Sequence, residues 1–402
     1  MRILLVPDKF KGSLTSVEVC EALKKGIANK IPGAEIIFHP MADGGDGSIQ
    51  VLSNFLPVQK QTLSTTDALG KKIVSTFFTV TKGAKIQTSA GRVIPQMTRS
   101  SHEASRTEQQ DHGGQATVYV ELAETSGLSK LADSERSPLS TTTFGTGQIM
   151  ITAHQLGFNQ QYLFLGGSST HDLGLGIAAA WGFQFLNNDG NPFIPTGGTL
   201  GQLRKIIPAD GLPGPNLKIK LVCDVENPLT GPEGAAHTYA PQKGADLPLV
   251  EKLETGTRHA AAVLSDFCGR DISQFAGSGA AGGIPAGLSA LLDAQIQAGF
   301  DFIAQATGLE AQIQRADLVI SGEGRLDHQT LNGKVPAGVA KLCQKWNKPL
   351  LLVAGDNRLG EAAKSLFQAD QVCSVLDLAS SVSDAMTNAE RYLKQIGENF
   401  FS

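Results

Sequence analysis

The sequence predicts an α/β architecture in which a parallel sheet is interrupted by an inserted mixed α/β domain. Apolar, β-branched segments alternate with longer helical patterns along the chain. Several strand segments are continuous apolar runs, as expected when helices cover both faces of a parallel sheet. The 402 residues are enough for two or three domains, each with a core of its own.

The elements follow from these patterns. The predicted strands, in chain order, are 2–7, 34–40, 117–123, 161–167, 219–225, 316–322 and 349–355. The predicted helices are 16–31, 147–157, 175–186, 247–267 and 335–346. Residues 59–91 alternate apolar and polar positions, which is typical of antiparallel strands. We therefore predict one domain from residues 1–65 and 290–402, and an inserted mixed α/β domain from residues 66–289.

Composition excludes several classes of protein. The formal net charge of -4 gives no general attraction for nucleic acid or for an anionic membrane surface. The apolar run at the N-terminus is too short for a signal peptide or a membrane span. The five cysteines are scattered and contain no CxxC pair, so neither disulfides nor zinc are expected. We expect a cytoplasmic protein with no nucleic-acid or membrane partner. The polar, aperiodic stretch 92–115 is predicted to be a surface loop or insertion.

The segment PDKFKGSLTS (7–16) follows the first predicted strand. Lys9 and Lys11 place positive charge in the loop, and Ser13 is one of several hydroxyls that can cap the next helix. A helix N-terminus with lysine nearby can bind an anion. The alternative is ordinary capping with solvated lysines.

The segment MADGGDGS (41–48) follows the second strand and carries Asp43 and Asp46 beside glycines. Paired carboxylates in a turn can bind a hard cation through oxygen. They can also cap a helix, and the spacing is not that of an EF-hand.

The segment LFLGGSSTHDLGLG (163–176) runs from an apolar strand into small and hydroxyl-bearing residues. Gly166 and Gly167 allow close approach of a ligand to the backbone, and three hydroxyl donors follow, namely Ser168, Ser169 and Thr170. Such a loop before a helix can bind phosphate oxygens. Asp172 carries the same charge sign as phosphate, so it is interpreted as a magnesium ligand, a base, or a helix N-cap.

Two further clusters lie at predicted strand ends, where ligands gather in open α/β sheets. Asp224 ends the strand of CDVENPL, and Lys243 lies in the turn APQKGA. The segment SGEGRLDHQTLNGK (321–334) contributes Glu323, Arg325 and Asp327. Arginine offers a planar fork for a carboxylate or phosphate, and Asp327 could serve as a metal ligand or a general base.

Motifs that are absent narrow the function. The sequence has no GxxxxGK[ST] and no GxSxG, which argues against a P-loop and a serine-hydrolase elbow. A single GxGxxG at Gly277, Gly279 and Gly282 follows a poor strand. It leaves a NAD(P)-dependent hydroxy-acid dehydrogenase as an alternative. A non-catalytic sensor of nucleotides or small anions is a second alternative.

Taken in order, these segments resemble the type-1 glycerate kinase family. The matching motifs are PDKFKGSL, PMADGGDGS, TTFGTGQIM, GGSSTHDLGLG, CDVENPL, PQKGA, GAAGG and GEGRLDHQTLNGKVP. They extend from Pro7 to about Gly355. The resemblance implies ATP- and Mg²⁺-dependent phosphorylation of D-glycerate, with the 2-hydroxyl as the expected acceptor. It also implies a Rossmann-like sheet domain and an active site in the cleft between the two domains.

The resemblance and the residue chemistry together give each candidate a role. Phosphoryl transfer needs positioning and charge neutralisation more than covalent chemistry. The sequence does not say which carboxylate binds metal and which accepts the proton, and a homodimer is compatible with it. Our assignments are Asp327, Asp172 and Lys11 as catalytic residues, Arg325, Glu323 and Ser13 for the substrate, Gly166, Gly167, Ser168, Ser169, Thr170 and Lys243 for the nucleotide, and Asp43, Asp46 and Asp224 for the metal.

Overall fold

A computed structural model describes residues 1–80, 116–211, 214, 216–331 and 333–401. The predicted insertion 92–115 and the end of the alternating stretch 59–91 lie outside the described residues. The strands are β1 (Arg2–Pro7), β2 (Glu35–Phe38), β3 (Gln59–Thr66), β4 (Lys72–Val80), β5 (Thr117–Glu121), β6 (Gln160–Phe164), β7 (Gln184–Leu186), β8 (Pro192–Phe193), β9 (Lys205–Ile207), β10 (Lys218–Val222), β11 (Gln295–Gln297), β12 (Leu318–Leu326), β13 (Leu350–Asn357) and β14 (Gln371–Ser374). Every strand predicted from an apolar run is present within a few residues of its expected bounds.

The helices occupy the segments between these strands. They are α1 (Ser16–Lys30), α2 (Ser48–Leu52), α3 (Ala123–Ser126), α4 (Phe144–Gln155), α5 (Leu175–Ala180), α6 (Ala235–Tyr239), α7 (Leu247–Cys268), α8 (Ala280–Leu291), α9 (Gly299–Thr307), α10 (Leu309–Arg315), α11 (Val335–Lys345), α12 (Ala362–Phe367), α13 (Val382–Thr387) and α14 (Ala389–Asn399). In the described part of the chain, none of them is long and apolar enough to cross a membrane.

One helix prediction was wrong. The helix expected over 175–186 ends at Ala180, and the chain then turns into β7. Gly182 has a φ of +98°, a conformation that cannot continue a right-handed helix. Helical and strand-forming residues are both apolar here, so the pattern alone could not locate the break.

The strands form three sheets, which confirms the α/β fold class. A five-stranded parallel sheet has the order β14-β13-β12-β1-β2. A six-stranded sheet has the order β11-β10-β6-β5-β4-β3, with β3 and β4 antiparallel. A small antiparallel sheet has the order β8-β7-β9.

Sheet membership differs from the predicted division near both of its ends. β3 lies on the six-stranded sheet, although most of it falls within the predicted segment 1–65, and β11 lies there too, although it falls within 290–402. The chain therefore passes between the two large sheets after α2 and again before α9. The domain boundaries themselves stay a prediction.

The two large sheets share a hydrophobic core. Leu4, Val6 and Val319 of the five-stranded sheet belong to the same buried cluster as Tyr162 of the six-stranded sheet. Phe302 of α9 lies between the sheets, with its ring stacked 4.5 Å from that of Tyr162. This shared core holds the strand ends of both sheets near one another.

The two ends of the chain meet on the five-stranded sheet. β1 lies between β2 and β12, so the first strand pairs with a strand more than three hundred residues later. Helix α1 packs on α14 so closely that a methyl group at Gly26 would lie 2.0 Å from the carbonyl oxygen of Lys394.

Candidate active site

The loop 41–48 after β2 lies at the centre of the site. A methyl group at Gly44 would lie 2.9 Å from Cγ1 of Val222, at the end of β10. A methyl group at Gly166, just beyond β6, would lie 2.4 Å from the backbone nitrogen of Asp46. The loop therefore contacts two strand ends of the opposite sheet, and the predicted segments 41–48, 163–176 and 223–236 meet.

Asp8 is a buried acid that the sequence reasoning missed. Its amide donates to the carbonyl of Gly322 at 2.8 Å, and Pro7 pairs with Gly322 in the β1–β12 ladder, so Asp8 lies beside Glu323. The two side chains are only 6% and 7% exposed. Because Leu4 and Val6 face the shared core, alternation places Asp8 on that same side of the sheet. An acid directly after a buried strand was the available signal.

The negative charge of Asp43 raises the pKa of three nearby carboxyls, of which Asp8 and Glu323 are buried and Asp224 is half-buried. Burial, and then Asp43, raise the pKa of Asp8 well above its usual value. Burial raises the pKa of Glu323 to about 7, against a hydrogen bond from Thr330, and Asp43 adds to the rise. Burial and Asp43 also raise the pKa of Asp224 to about 7, although two backbone amides oppose the rise. The neutral forms of these carboxyls are therefore favoured in the ligand-free protein, and a cation bound among them would lower each pKa and favour the charged forms.

The acidic residues do not form a ready-made metal cage. Within the described ranges, no three His, Cys, Asp or Glu side chains are grouped closely enough to hold a metal ion. Asp43 accepts a hydrogen bond from the amide of Gly45 at 3.0 Å, Asp224 accepts from the amides at the start of α9, and Asp46 is exposed. One or two carboxylates with substrate phosphates are the usual ligands of Mg²⁺, so this set fits an ion that arrives with a nucleotide.

The variant Glu323→Gln tests whether the raised pKa of Glu323 makes the stability of the protein depend on pH. An acid whose pKa is raised on folding contributes stability at low pH and loses it as the pH rises through the folded-state value, here about 7. Glutamine can still accept the hydrogen bond from Thr330 and has no charge to lose. We measure the melting temperature of the variant minus that of the parent protein. We expect this difference to become more positive as the pH is raised from about 5 to about 8. A difference that is constant with pH in thermal scans would contradict this.

The glycine loop, defined here as residues 166–172, has its hydroxyl side chains turned inward. Ser168, Ser169 and Thr170 are 7%, 1% and 0% exposed. Both the amide and the hydroxyl of Ser169 donate to the carbonyl of Ser126, at 2.8 and 2.9 Å. The exposed part of the loop is Gly167, with Gly166 half-buried. Contact with a ligand therefore falls to the backbone, and the expected contacts of the three hydroxyls need correction.

Asp172 is sealed inside the protein. It is 0% exposed, and its carboxylate accepts hydrogen bonds from the amide and hydroxyl of Thr143 at 2.7 and 2.8 Å. It also accepts from the amides of Gly174 and Gly176 and from the hydroxyl of Thr142. Burial raises the pKa of Asp172, against the hydrogen bonds from Thr143 and the two glycine amides. The N-cap of α5 is Gly174, so the N-cap alternative for Asp172 was wrong. Its carboxylate is instead a buried acceptor between the segment before α4 and the start of α5, without contact with solvent.

Lys243 is also sealed, on the other side of the glycine loop. It is 1% exposed, and its ammonium donates to Oγ of Ser168 at 2.8 Å and to the carbonyl of Thr170 at 2.6 Å. Burial lowers the pKa of Lys243 to about 7, while Asp172 opposes the shift. The expected direct contact with a nucleotide is corrected to a contact with the loop.

The two lysines of segment 7–16 have different surroundings. Nζ of Lys9 donates to the carbonyl of Asp46, so it links this segment to the central loop, whereas Lys11 is exposed. Oγ of Ser13 donates to the carbonyl of Met386 at 2.7 Å. Helix α1 is capped by Thr15, whose hydroxyl accepts from the amide of Glu18. The segment therefore both caps α1, through Thr15, and presents an exposed lysine, Lys11.

The segment after β12 presents the substrate candidates. Glu323 accepts a hydrogen bond from the hydroxyl of Thr330. The Arg325 side chain is 63% exposed, with Nε 3.7 Å from a carboxylate oxygen of Asp356. Asp327 is half-buried, and one of its oxygens accepts from the amide of Gln329 at 2.9 Å, which fixes its turn. Arginine and two acids thus occupy one strand end beside Asp8.

Gly166→Ala tests the contact between the glycine loop and loop 41–48. The added methyl group would overlap the backbone of Asp46, so one loop must move. We expect kcat/KM for the phosphoryl transfer that the sequence resemblance implies to fall by roughly 10–100-fold, because small displacements are costly to phosphoryl transfer. Gly33→Ala is the control, since a methyl group there meets nothing within 4 Å. Equal kinetics for both variants would show that the contact does not position the site.

Comparison with known proteins identifies the family. The model of the glycerate kinase family matches residues 3–402. The chain belongs to the glycerate kinase family. A glycerate kinase of Halalkalibacterium halodurans is 34% identical over 99% of this chain and 96% of the relative. The glycerate 2-kinase of Escherichia coli K12 is 33% identical over 97% of this chain and 94% of the relative. A crystal structure named for glycerate kinase 2 of Salmonella typhimurium LT2 has a TM-score of 0.75 and 31% identity, covering 100% of this chain and 97% of that one.

Membership of the glycerate kinase family confirms the resemblance found in the sequence. The protein is an enzyme that phosphorylates glycerate, a small molecule, with a nucleotide as the second substrate. The dehydrogenase alternative also lacks its structural context. The described segment 269–276, which follows α7 and precedes the GxGxxG, contains no strand.

Proposed function

We propose that this enzyme transfers the γ-phosphoryl group of ATP to the 2-hydroxyl of D-glycerate, assisted by Mg²⁺, in the cleft between the two large sheets. One observation carries the proposal: acids from both sheets and the glycine loop meet around loop 41–48, close enough for Asp43 to raise the pKa of Asp8 and of Asp224 beyond the effect of burial. The name of the E. coli relative, glycerate 2-kinase, supports the 2-hydroxyl as acceptor.

One or two carboxylates from the candidates Asp43, Asp46 and Asp224 would hold the metal, together with phosphate oxygens of ATP. When bound, Mg²⁺ supplies charge neutralisation at the phosphates, the main need of phosphoryl transfer. Asp43 suits this role because its charge raises the pKa of the neighbouring carboxyls, so a cation there would relieve repulsion. The backbone of Gly166 and Gly167 would contact the phosphate oxygens.

The substrate would lie against the strand end of β12. Arg325 is free to make a bidentate contact with the glycerate carboxylate, because its pairing with Asp356 is exposed and loose. Glu323 and Ser13 would complete the pocket through hydrogen bonds. Lys11, which is exposed near this edge, would offset the charge of the transferred group.

Asp327 is the proposed proton acceptor. The 2-hydroxyl proton moves to its carboxylate, the hydroxyl oxygen forms a bond to the γ-phosphorus, and the bond from that phosphorus to the bridging oxygen of ADP breaks. One carboxylate oxygen of Asp327 is held by its own turn, which orients the other.

Phosphorus NMR of the reaction tests the proposal. With D-glycerate and MgATP, we expect ADP and 2-phosphoglycerate to form together, and EDTA to stop the reaction. The resonance of 3-phosphoglycerate would overturn the assigned hydroxyl, and turnover in EDTA would overturn the role of Mg²⁺. Replacing ATP with other nucleoside triphosphates tests the donor, since equal rates would remove the preference for ATP.

We also propose a cytoplasmic location and a homodimer. The five cysteines are all free, which suits a reducing compartment. Cell fractionation and sedimentation would test the two proposals separately.

A further inference from the structure

Lys243 is a lysine to which the proposed reaction assigns no contact with a substrate. It ends a short 3₁₀ helix, Pro241–Lys243, and is among the largest fully buried side chains of the described chain. Burying a lysine costs free energy that its contacts seldom repay in stability alone. A buried lysine against a ligand loop therefore calls for a functional reason.

We propose that Lys243 is a positioning residue that holds the glycine loop in its ligand-ready shape and presents positive charge through it to the phosphate oxygens of the nucleotide. This inference rests on the proposed function and deepens it. Lys243 acts through Ser168 and Thr170 and does not touch the nucleotide.

The first support is the geometry of the loop. Lys243 binds both the side chain of Ser168 and the backbone of Thr170, two residues apart, and so fixes the curvature of the chain between them. Oγ1 of Thr170 and Nδ1 of His171 are buried without a partner among the described residues. Burying these two polar atoms without hydrogen bonds costs free energy. The two hydrogen bonds that Lys243 donates to the same loop offset part of that cost.

The second support is the asymmetry of charge. Asp172 lies at the far end of the loop, but its carboxylate accepts hydrogen bonds from Thr142, Thr143 and the two glycine amides, which disperse its charge. Lys243 donates to two neutral oxygens of the loop itself. In a region of low dielectric, the protonated Lys243, held against Ser168, would add positive potential at the neighbouring exposed backbone of Gly167. The exposed side of the loop therefore favours an anion.

Lys243→Met tests this inference, because methionine fills much of the same volume without charge or donor. We expect the Kd for MgATP, measured by calorimetry, to rise about 10–100-fold, as for loss of a charge-assisted contact. The KM for glycerate should change by less than about twofold. We expect amides of the loop to exchange hydrogen faster even without nucleotide. Lys220→Met is the control, since Lys220 is hydrogen-bonded to Gln295 on the same sheet and lies outside the site.

A second variant protects the test against misfolding. Ser168→Ala removes one acceptor of Lys243 and leaves the charge in place, so a smaller rise of about 3–10-fold in the Kd for MgATP is expected. In the double variant, the Ser168→Ala change should add little to Lys243→Met, because both act through one contact.

Three results would overturn the inference. These are an unchanged Kd for MgATP in both variants, equal rises in the values for ATP and glycerate, and unaltered hydrogen exchange of the loop. Failure of the proposed function looks different, because the parent enzyme itself would then bind no MgATP while the variant still changed the exchange of the loop.

Discussion

Asp43→Asn is expected to lower kcat by roughly 10²–10³-fold, as for the loss of a group that stabilises charge in the transition state. The same change should raise the melting temperature of the ligand-free protein. Asparagine can still accept the amide of Gly45, so the loop keeps its turn. The repulsion that Asp43 exerts on Asp8, Asp224 and Glu323 disappears with the charge. Activity and stability should thus move in opposite directions.

The pair of measurements separates functional from structural roles for Asp43. Asp189→Asn is the control: Asp189 is exposed in a turn near the small sheet, and its loss should alter neither property. A purely structural Asp43 would give a lower melting temperature together with lower activity. Normal turnover in Asp43→Asn would remove the residue from the catalytic machinery.

Asp172→Ala is expected to have the largest effect on stability. The change deprives five donors of their acceptor inside the protein, and each buried unsatisfied donor costs about 1–3 kcal/mol. These costs are not additive, and we expect a loss of more than about 3 kcal/mol in chemical denaturation. Asp271→Ala serves as control, since the carboxylate of Asp271 bonds only Ser273 in an exposed turn.

Asp172→Asn distinguishes a structural acceptor from a catalytic base. Asparagine keeps an acceptor oxygen for the loop, so a structural acceptor should retain turnover within about tenfold, whereas loss of a base costs roughly 10²–10⁴-fold. If Asp172→Asn folds stably and its turnover is roughly 10²–10⁴-fold below that of the parent enzyme, the result would support a catalytic role for Asp172, which its burial argues against.

Most of the fold could be predicted because buried parallel strands carry their signal locally. RILLVP after its arginine, and PLLLVAG, contain no polar side chain, and the helices between such runs keep a 3.6-residue period. Sheet membership was less accessible. Whether β3 joins one sheet or the other depends on its pairing with β4 and on distant contacts.

The sequence predicted which segments form the site, but not the directions in which their side chains point. Glycine and acid clusters after strands identified the loops that meet, since strand ends of a parallel sheet share one edge. In a loop no periodicity says which way a side chain points. The inward hydroxyls of Ser168–Thr170 and the burial of Asp172 and Lys243 were therefore hidden. Asp8 directly follows β1, but Lys9 and Lys11 give its segment a positive charge, which predicts an anion site and not an acidic one.

The pairing of β1 with β12 and of α1 with α14 has a consequence for biosynthesis. During synthesis β1 can pair early with β2, but its other edge stays open until β12 has been made, and α1 lacks its contact with α14 until later still. The strands of the six-stranded sheet are all made by β11, before β12, so that sheet can form before the five-stranded one is complete.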